Sequence, residues 1–303
     1  MKVVITDQNF GDEARLEREA VEAAGGELVV AESASEEDVA AAIAAHRPDA
    51  LLVQFAPVGE RALADPNGVV AIVRYGVGVD NIDVRAAMAH GIAVSAVPDY
   101  CVSEVADHAL ALLLAVERGI VALAVQTRAG AWDFRAAGPV RRLRGRVLGL
   151  VGFGRIARAV AARAEAFGMA VAFHDPAVSG GLELDELLRR ADVLSLHVPL
   201  TDRTRDLIGA RELALLPEGA VLVNTARGGL VDEEALVEAL ASGRLRGAGL
   251  DVLATEPPPP DHPLRMARNV VLTPHAAWFS ETAVVELRRK AVEKAIELTR
   301  RGG

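Results

Sequence analysis

Short apolar runs recur along the chain and alternate with longer stretches whose apolar positions follow a helical spacing. The runs are rich in Val, Ile and Leu and are too short for helices, so the pattern favours strands. Strands that alternate with helices predict a parallel sheet covered on both faces. We expect strands at 3–7, 27–32, 50–54, 69–76, 92–97, 147–152, 170–175, 193–198, 220–226, 247–252 and 270–275.

Two long helical segments complete this pattern. Residues 103–129 predict one continuous helix, with Ser103 as the cap at its start and Gly130 at its end. Residues 280–301 predict an amphipathic helix. The expected fold class is therefore α/β, with two doubly wound parallel-sheet units, the second of which begins near residue 100.

Length, charge and cysteine content narrow the class of protein. The 303 residues are enough for about two domains. The net charge of −9 argues against a nucleic-acid partner, because phosphate binding needs a basic surface. The longest apolar run, 109–116, is too short to span a bilayer, and the N-terminus lacks the apolar run of a signal peptide. The single cysteine, Cys101, favours a reducing, cytoplasmic location.

Residues 152–157, Gly-Phe-Gly-Arg-Ile-Ala, match the G-x-G-x-x-G/A pattern between a predicted strand and a predicted helix. Gly152 permits a tight turn, Gly154 lets the backbone approach a pyrophosphate, and Ala157 lets the helix pack against the strand. The next predicted strand ends at Asp175, whose carboxylate can accept hydrogen bonds from the adenosine ribose. Its charge would repel a 2′-phosphate, so the sequence favours NAD over NADP.

Three polar segments follow later strands of the second unit. They are Asn-Thr-Ala-Arg-Gly-Gly at 224–229, Asp-Val-Leu-Ala-Thr-Glu-Pro at 251–257 and Thr-Pro-His-Ala-Ala-Trp at 273–278. Ligands of open α/β sheets bind at the carboxyl ends of the strands, so these segments are candidates for an active site. The other histidines and Cys101 show no metal-ligand spacing, and we expect no bound metal.

Together with residues 74–83 and 150–158, these segments resemble the signatures of the D-isomer-specific 2-hydroxyacid dehydrogenase family. That family includes phosphoglycerate dehydrogenase, glyoxylate and hydroxypyruvate reductases, D-lactate dehydrogenase and the C-terminal binding protein corepressors. The resemblance covers nearly the whole chain and is closest to the corepressor-like and phosphoglycerate dehydrogenase-like branch. It implies a Rossmann NAD-binding domain at 99–278, and a flavodoxin-like substrate domain formed by 1–98 and 279–303.

The resemblance also implies a catalytic set. Arg227 would bind the carboxylate and carbonyl of the substrate, since a guanidinium is a planar and permanently charged donor. His275 would be the acid and base, because imidazole titrates near neutral pH. Glu256 would hydrogen-bond His275 and raise the pKa of its imidazole.

Further residues are implied to contact the cofactor or the substrate. The cofactor set is Gly152, Phe153, Gly154, Arg155, Ile156, Asp175, Val198, Pro199, Thr225, Ala226, Asp251 and His275. The substrate set is Arg74, Tyr75, Gly76, Val77, Gly78 and Trp278, with backbone amides of the glycine loop pointing at an anion. Asp251 would lie near the nicotinamide amide but is also a candidate turn residue. Arg74 is equally compatible with a structural ion pair, and Trp278 with packing in the cofactor domain.

The implied activity is the reversible, NAD-dependent reduction of a 2-oxo acid to a D-2-hydroxy acid. Narrower alternatives are D-3-phosphoglycerate dehydrogenase and hydroxypyruvate or glyoxylate reductase. Formate dehydrogenase is less favoured, because that branch pairs its histidine with glutamine where this chain has Glu256. An alternative of another class is an NAD(H)-sensing, corepressor-like interaction protein.

The expected partners are a small 2-oxo or 2-hydroxy acid and a second copy of the chain, with no membrane and no nucleic acid. Residues 105–116 have a broad apolar face, and the resemblance implies dimerisation through this region. The sequence leaves open which acid is the substrate, in which direction the reaction runs and whether catalysis is retained.

Overall fold

The computed structural model describes residues 1–11 and 13–302 of the chain. The chain divides into two compact units, one formed by Met1–Cys101 with the segment from Phe279 onward, the other by Val102–Trp278. Each unit is built on a parallel sheet with helices packed against it. This architecture confirms the predicted α/β fold class.

Within its described residues, the first unit contains a five-stranded parallel sheet. The strands are β1 (Lys2–Ile5), β2 (Glu27–Val30), β3 (Ala50–Val53), β4 (Ala71–Arg74) and β5 (Ala93–Ser95). Their order is β2-β1-β3-β4-β5, the arrangement of flavodoxin-like sheets. The helices are α1 (Arg15–Ala23), α2 (Glu36–His46), α3 (Val84–Ala89) and the C-terminal Glu281–Gly302, which is α11 in chain order.

Two polar side chains hold the loop before α3. The carboxylate of Asp83 accepts a hydrogen bond of 2.9 Å from the amide of Ala86 and so caps the helix. Asn81 donates from Nδ2 to the carbonyl of Ala56 at 2.9 Å. The chain that follows β4 is therefore tied to the body of its unit.

The second unit contains a six-stranded parallel sheet in the described residues. The strands are β6 (Val147–Val151), β7 (Ala170–His174), β8 (Val193–Leu196), β9 (Ala220–Asn224), β10 (Leu245–Leu250) and β11 (Val270–Leu272). The helices are α4 (Val102–Arg118), α5 (Ile120–Arg128), α6 (Arg155–Ala166), α7 (Leu184–Arg190), α8 (Ala210–Leu215), α9 (Glu233–Ala241) and α10 (Pro263–Met266). The strand order is β7-β6-β8-β9-β10-β11, so β7 lies on one side of β6 and the strands from β8 onward lie on the other side. Parallel sheets bind ligands at the point where the strand order switches sides, here between β6 and β8.

Glycines on β10 let α4 lie close to the sheet. A Cβ on Gly249 would be 2.7 Å from the Cβ of Leu112, and one on Gly247 would be 2.8 Å from Cγ1 of Val116. Leu112 and Val116 are buried in the core on this face of the sheet. The close packing of α4 therefore requires residues without side chains at these two strand positions.

The prediction of one continuous helix over residues 103–129 is wrong. α4 ends at Arg118, α5 begins at Ile120, and the two helices meet at a bend of 64°. Gly119 adopts a φ of 59°, and a Cβ there would approach the carbonyl oxygen of Ala137 to 2.6 Å. Among the described residues, no single helix meets the length and hydropathy criteria for crossing a membrane, and α4 with α5 meets them only as a bent pair.

Each predicted apolar run overlaps an observed strand, but every strand ends earlier than predicted. The run 69–76 contains β4 at 71–74, and the run 193–198 contains β8 at 193–196. Residues beyond these strand ends, among them Tyr75 and His197, leave the sheet to form the loops at its carboxyl edge. Those loops carry most of the candidate site residues.

Candidate active site

Glu256 and His275 are brought together by two neighbouring strands. β10 and β11 are parallel and adjacent, so the loops that follow them leave the same edge of the sheet. The first loop carries Glu256 and the second carries His275. Nδ1 of His275 donates a hydrogen bond of 2.7 Å to Oε2 of Glu256. The predicted hydrogen bond between these side chains is therefore present.

The backbone around His275 holds it in an uncommon conformation. Its φ of 51° lies in the left-handed region, which residues with side chains rarely adopt. Its amide donates to the carbonyls of Asp251 at 2.8 Å and Thr273 at 3.0 Å. The buried carboxylate of Asp251 accepts from the amides of Ala276 at 2.9 Å and Ala277 at 2.8 Å. These bonds offset the backbone strain and orient the imidazole.

Asp251 also joins a side-chain network. Oγ1 of Thr273 donates to Oδ1 of Asp251 at 2.5 Å, and Nε2 of His108 lies 2.8 Å from that hydroxyl. Because the hydroxyl proton goes to the carboxylate, His108 is the donor in the second bond. The structure thus gives Asp251 a role in positioning the loop of His275. The nicotinamide contact implied for Asp251 stays a prediction.

The carboxylate of Glu256 is stabilised in its charged form. Burial acts to raise the pKa of Glu256, but the hydrogen bond and charge of His275, with smaller effects from Leu253 and Arg227, together lower that pKa below its usual value. The amide of Leu253 donates to Oε1 at 2.9 Å. An ionised Glu256 keeps the proton of His275 on Nδ1, which leaves Nε2 for exchange with a ligand.

Arg227 follows β9 in a turn organised by Asn224. The buried side chain of Asn224 accepts from the amide of Ala226 at 3.0 Å and donates to the carbonyl of Arg227 at 2.8 Å. Nη1 of Arg227 donates to the carbonyl of Ala226 at 2.7 Å. The positive charge of Arg227 also acts to lower the pKa of Glu256.

The loop after β10 is held from two sides. At Gly228 the backbone of Leu253 comes so close that any Cβ would overlap it. Oε1 of Glu233 accepts a hydrogen bond of 2.7 Å from the amide of Ala254, and Oε2 lies 3.1 Å from Nε2 of His262. The turn that carries Arg227 and the start of α9 therefore support the loop that carries the carboxylate partner of the histidine.

The glycine-rich turn after β6 has the geometry of an anion site. Gly152 has a φ of 88°, and a Cβ there would lie 2.6 Å from the carbonyl oxygen of His197 and 2.9 Å from Cγ1 of Val198. Gly154 precedes α6, no side chain caps this helix, and a Cβ on Gly154 would meet no atom within 4 Å. The first amides of α6, at Arg155 and Ile156, thus face open space at the positive end of the helix dipole.

Asp175 lies beside this turn at the end of β7. Its Oδ2 accepts from the amide of Phe153 at 2.8 Å and its Oδ1 from the amide of Ala177 at 2.9 Å. The bond from Phe153, followed by that from Ala177, lowers the pKa of Asp175, so the carboxylate is ionised at neutral pH. The ring of Phe153 stacks on Phe173 at 3.9 Å and carries the guanidinium of Arg158 on its face at 4.3 Å.

Four further predicted cofactor residues lie at the carboxyl edge of β8 and β9. These residues are Val198, Pro199, Thr225 and Ala226. The hydroxyl oxygen of Thr225 is buried and has no hydrogen-bond partner among the described residues, which fits a site completed by a ligand. Within residues 1–11 and 13–302, no group of three or more His, Cys, Asp or Glu has an arrangement that would hold a metal ion.

Tyr75 of the first unit is buried and bonded inside that unit. Its amide donates to the carbonyl of Val53 at 2.8 Å, and its hydroxyl donates to Oε1 of Glu17 at 3.1 Å. Burial and then the negative charge of Glu17 raise the pKa of Tyr75 well above its usual value, so the phenol stays protonated. The side chain of Tyr75 is therefore committed to the interior of its unit.

The residues that follow Tyr75 form a tight turn. The amide of Gly76 donates to the carbonyl of Arg74 at 3.0 Å, and a Cβ on Gly76 would overlap the guanidinium of Arg74. Val77 is exposed and Gly78 is partly exposed. The predicted substrate contacts of residues 74–78, and of the partly exposed Trp278, stay predictions.

Comparison with known proteins identifies the family. The family model for the NAD-binding domain of the D-isomer specific 2-hydroxyacid dehydrogenases matches residues 110–277. The chain belongs to this family. The matched residues lie within the second unit, which therefore contains the NAD-binding domain of this family.

Relatives of the family resemble the whole length of the chain. A D-3-phosphoglycerate dehydrogenase of Methanocaldococcus jannaschii is 39% identical over 294 residues, which are 93% of this chain and 54% of that protein. A glyoxylate reductase of Korarchaeum cryptofilum is 42% identical over 242 residues, 76% of this chain and 73% of that protein. The crystal structure of a glyoxylate reductase from Paecilomyes thermophila superposes with a TM-score of 0.90, at 31% identity, over 100% of this chain and 96% of that one. The chain spans about half the length of the phosphoglycerate dehydrogenases that it matches.

Several side chains of this NAD-binding domain that contact the site loops were not among the predicted site residues. They are His108, Asn224, Glu233, His262 and Thr273. Asn224 and Thr273 lie in the sequence motifs at 224–229 and 273–278. Their position next to predicted site residues could have identified them as part of the site. His108 and His262 look like structural or surface histidines, because their partners lie far away in the sequence.

Proposed function

We propose that this protein is an NAD-dependent oxidoreductase that reversibly reduces a 2-oxo acid to a D-2-hydroxy acid. The observation that carries the proposal is the 2.7 Å hydrogen bond between His275 and Glu256 at the carboxyl edge of the sheet. An imidazole held by a carboxylate, within reach of a guanidinium, is the donor set that carbonyl reduction needs. NADH, when bound, supplies the hydride that reduces the carbonyl carbon.

The NAD-binding role of the second unit is assigned to particular residues. The free amides at the start of α6 and the open space at Gly154 suit a pyrophosphate. The ionised carboxylate of Asp175 suits the hydroxyls of an adenosine ribose and repels a 2′-phosphate. The buried hydroxyl of Thr225, which has no hydrogen-bond partner among the described residues, would gain one from the bound cofactor. Asp175→Ser should therefore weaken binding of NADH and improve binding of NADPH, which fluorescence titration with each cofactor measures.

In this mechanism His275 donates a proton to the substrate oxygen or accepts one from it. Glu256 accepts from Nδ1, so the opposite nitrogen, Nε2, gives its proton to the substrate oxygen during reduction. In the oxidative direction Nε2 takes a proton from the alcohol, and Glu256 stabilises the imidazolium that forms. Arg227 binds the substrate carboxylate and polarises the carbonyl, because its guanidinium remains charged at every working pH.

Replacing the histidine tests the activity. His275→Asn should lower the rate of NADH oxidation with a 2-oxo acid by at least about 100-fold, the range for loss of a positioned proton donor. NADH binding, followed by fluorescence, should stay near that of the unchanged protein. A variant that turns over substrate at a near-normal rate would contradict the assignment. The panel of acids includes glyoxylate and hydroxypyruvate, and the reverse assay with NAD uses 3-phosphoglycerate.

A homodimer and a cytoplasmic location also belong to this proposal. α5 is exposed and carries Ile120, Val121 and Val125 on its surface, and the exposed Trp132 and Phe134 follow it. Exposed apolar clusters of this kind favour a protein interface, here with a second copy of the chain. Sedimentation velocity with and without NADH measures the association. Dimerisation that requires NADH, in a protein inactive on all the acids, would favour the NAD(H)-sensing alternative. The cytoplasmic location rests on the single cysteine.

A further inference from the structure

A cleft in the second unit is walled by arginine side chains. Arg118, at the end of α4, and Arg141, Arg142 and Arg144, in the loop before β6, line a cavity of about 670 Å³. Phe167 and other apolar side chains form the rest of its wall. The cleft is lined by residues outside the predicted cofactor and catalytic sets, so the proposed dehydrogenase activity does not account for it.

The charge in this cleft opposes that of the protein as a whole. The chain has 42 acidic and 33 basic residues and a net charge of −9, yet none of the described residues that line the cleft is acidic. In the described part of the chain, Arg118, Arg142 and Arg144 have no carboxylate at ion-pair distance. Four positive side chains around one cavity repel each other, and a bound anion would offset this repulsion.

The acidic residue next to Arg118 in sequence does not supply that anion. Glu117 is fully buried, and its carboxylate is bound by Arg146 and Arg246 on the inner side of α4. Burial lowers the pKa of Arg246; Glu117 acts to raise it, and the positive charges of Arg146 and Arg141 lower it further. The carboxylate of Glu117 is therefore engaged by Arg146 and Arg246 and does not neutralise the arginines of the cleft.

Two of the arginines are held in place by the backbone beneath them. Nη1 of Arg141 donates to the carbonyls of Glu218 and Gly219, both at 3.2 Å, and a Cβ on Gly219 would overlap its guanidinium. The aliphatic stem of Arg144 lies over Gly168, 3.3 Å from the position of a Cβ. Side chains that are already ordered lose less entropy when they bind a ligand.

We propose that this cleft binds a small organic polyphosphate. Guanidinium groups form bidentate, charge-assisted hydrogen bonds with phosphate oxygens, and several of them together suit a multiply charged anion. The half-exposed ring of Phe167 offers an apolar surface to the organic part of the ligand. The ligand binds here independently of NAD, whose phosphates are assigned to the start of α6.

The test is titration calorimetry of the full chain saturated with NADH, so that the glycine turn is already filled. Inorganic pyrophosphate and ATP are the probes, and sodium chloride holds the ionic strength constant. Each probe should bind saturably to the unchanged protein. Arg142→Ala/Arg144→Ala should weaken the binding by at least about tenfold, the effect of losing two charge-assisted contacts. Arg142→Gln/Arg144→Gln provides a second variant with longer side chains.

Arg85→Ala/Arg300→Ala is the matched control, because it removes the same charge from exposed positions elsewhere. Its affinity for both probes should equal that of the unchanged protein. Equal weakening in control and cleft variants, or no saturable binding, would show attraction by net charge only and overturn the proposal. Loss of dimer in sedimentation of the cleft variants, without pyrophosphate binding to the unchanged protein, would instead assign the cleft to an interface.

Discussion

Arg288 and Glu17 form a buried ion pair that joins the two ends of the chain. Nε of Arg288 donates to Oε1 of Glu17 at 2.8 Å, and Nη2 donates to Oε2 at 2.6 Å. The side chains are 6% and 1% exposed, so little water screens the pair. The hydroxyl of Tyr75 donates to the same carboxylate. The pair therefore links α1, α11 and the segment after β4 within the first unit.

Breaking this pair should destabilise the protein strongly. Arg288→Met leaves a buried, uncompensated carboxylate, and we expect it to lower the free energy of unfolding by about 3–5 kcal/mol. Urea denaturation followed by circular dichroism measures the change. Arg289→Met is the matched control, since Arg289 pairs with Glu293 at the exposed surface and should cost less than about 1 kcal/mol. Equal losses in the two variants would contradict the role of the buried pair.

Glu256→Gln should show whether catalysis needs the negative charge of the carboxylate or only the volume of the side chain. The amide keeps the volume but no longer stabilises an imidazolium at His275, so we expect turnover to fall by about 100-fold with NADH affinity unchanged. Steady-state kinetics and fluorescence titration measure the two quantities. Turnover equal to that of the unchanged protein would remove Glu256 from the mechanism.

The same variant should change how stability depends on pH. The folded-state pKa of Glu256 lies below its ordinary value of 4.5, so the ionised group stabilises the fold above that pH. This contribution is lost as the pH falls from 4.5 through the lowered folded value. The stability difference between the unchanged protein and Glu256→Gln should therefore be present at neutral pH and vanish in acid, as urea denaturation at several pH values will show. A difference that persists in acid would contradict the lowered pKa.

Gly154→Ala should weaken cofactor binding without unfolding the protein. The added Cβ meets no atom within 4 Å, but it occupies the space in which a pyrophosphate would approach the backbone. We expect the thermal midpoint to stay unchanged and the affinity for NADH to fall by about tenfold. Gly152→Ala is the contrasting variant, because its φ of 88° and its contact with His197 cost stability. Normal NADH binding by Gly154→Ala would argue against a pyrophosphate at this turn.

Glu233→Ala should impair catalysis through the loop that it supports. Without the bond to the amide of Ala254, the loop that carries Glu256 loses one of its two anchors, and we expect kcat to fall by about 10- to 100-fold. The dissociation constant of NADH should not change. Glu233→Gln retains an acceptor for the amide and should restore most of the rate, while the exposed Glu234→Ala should have no effect. Equal rates in Glu233→Ala and Glu234→Ala would exclude this positioning role.

The fold class and much of the candidate site can be predicted from the sequence, because they follow from local features. Apolar runs of strand length identify β1 to β11, since a strand buried on both faces needs apolar residues throughout. Gly152 and Gly154 are recognisable because the turn between a strand and a helix demands them at fixed spacing. His275 and Glu256 are found by motif, and the adjacency of β10 and β11 then brings them together.

Other features depend on contacts between residues that are distant in the chain. At the break at Gly119 the backbone of Ala137 comes close, and the helical pattern of apolar side chains does not show this contact. The partners of Glu17, Glu233 and His108 are likewise set only when helices and strands pack. The sequence by itself determined where the buried strands lie and which backbone turns need glycine, because these are local demands. The tertiary structure decided which charged and polar groups meet, because burial forces each of them to find a partner wherever the packed chain provides one.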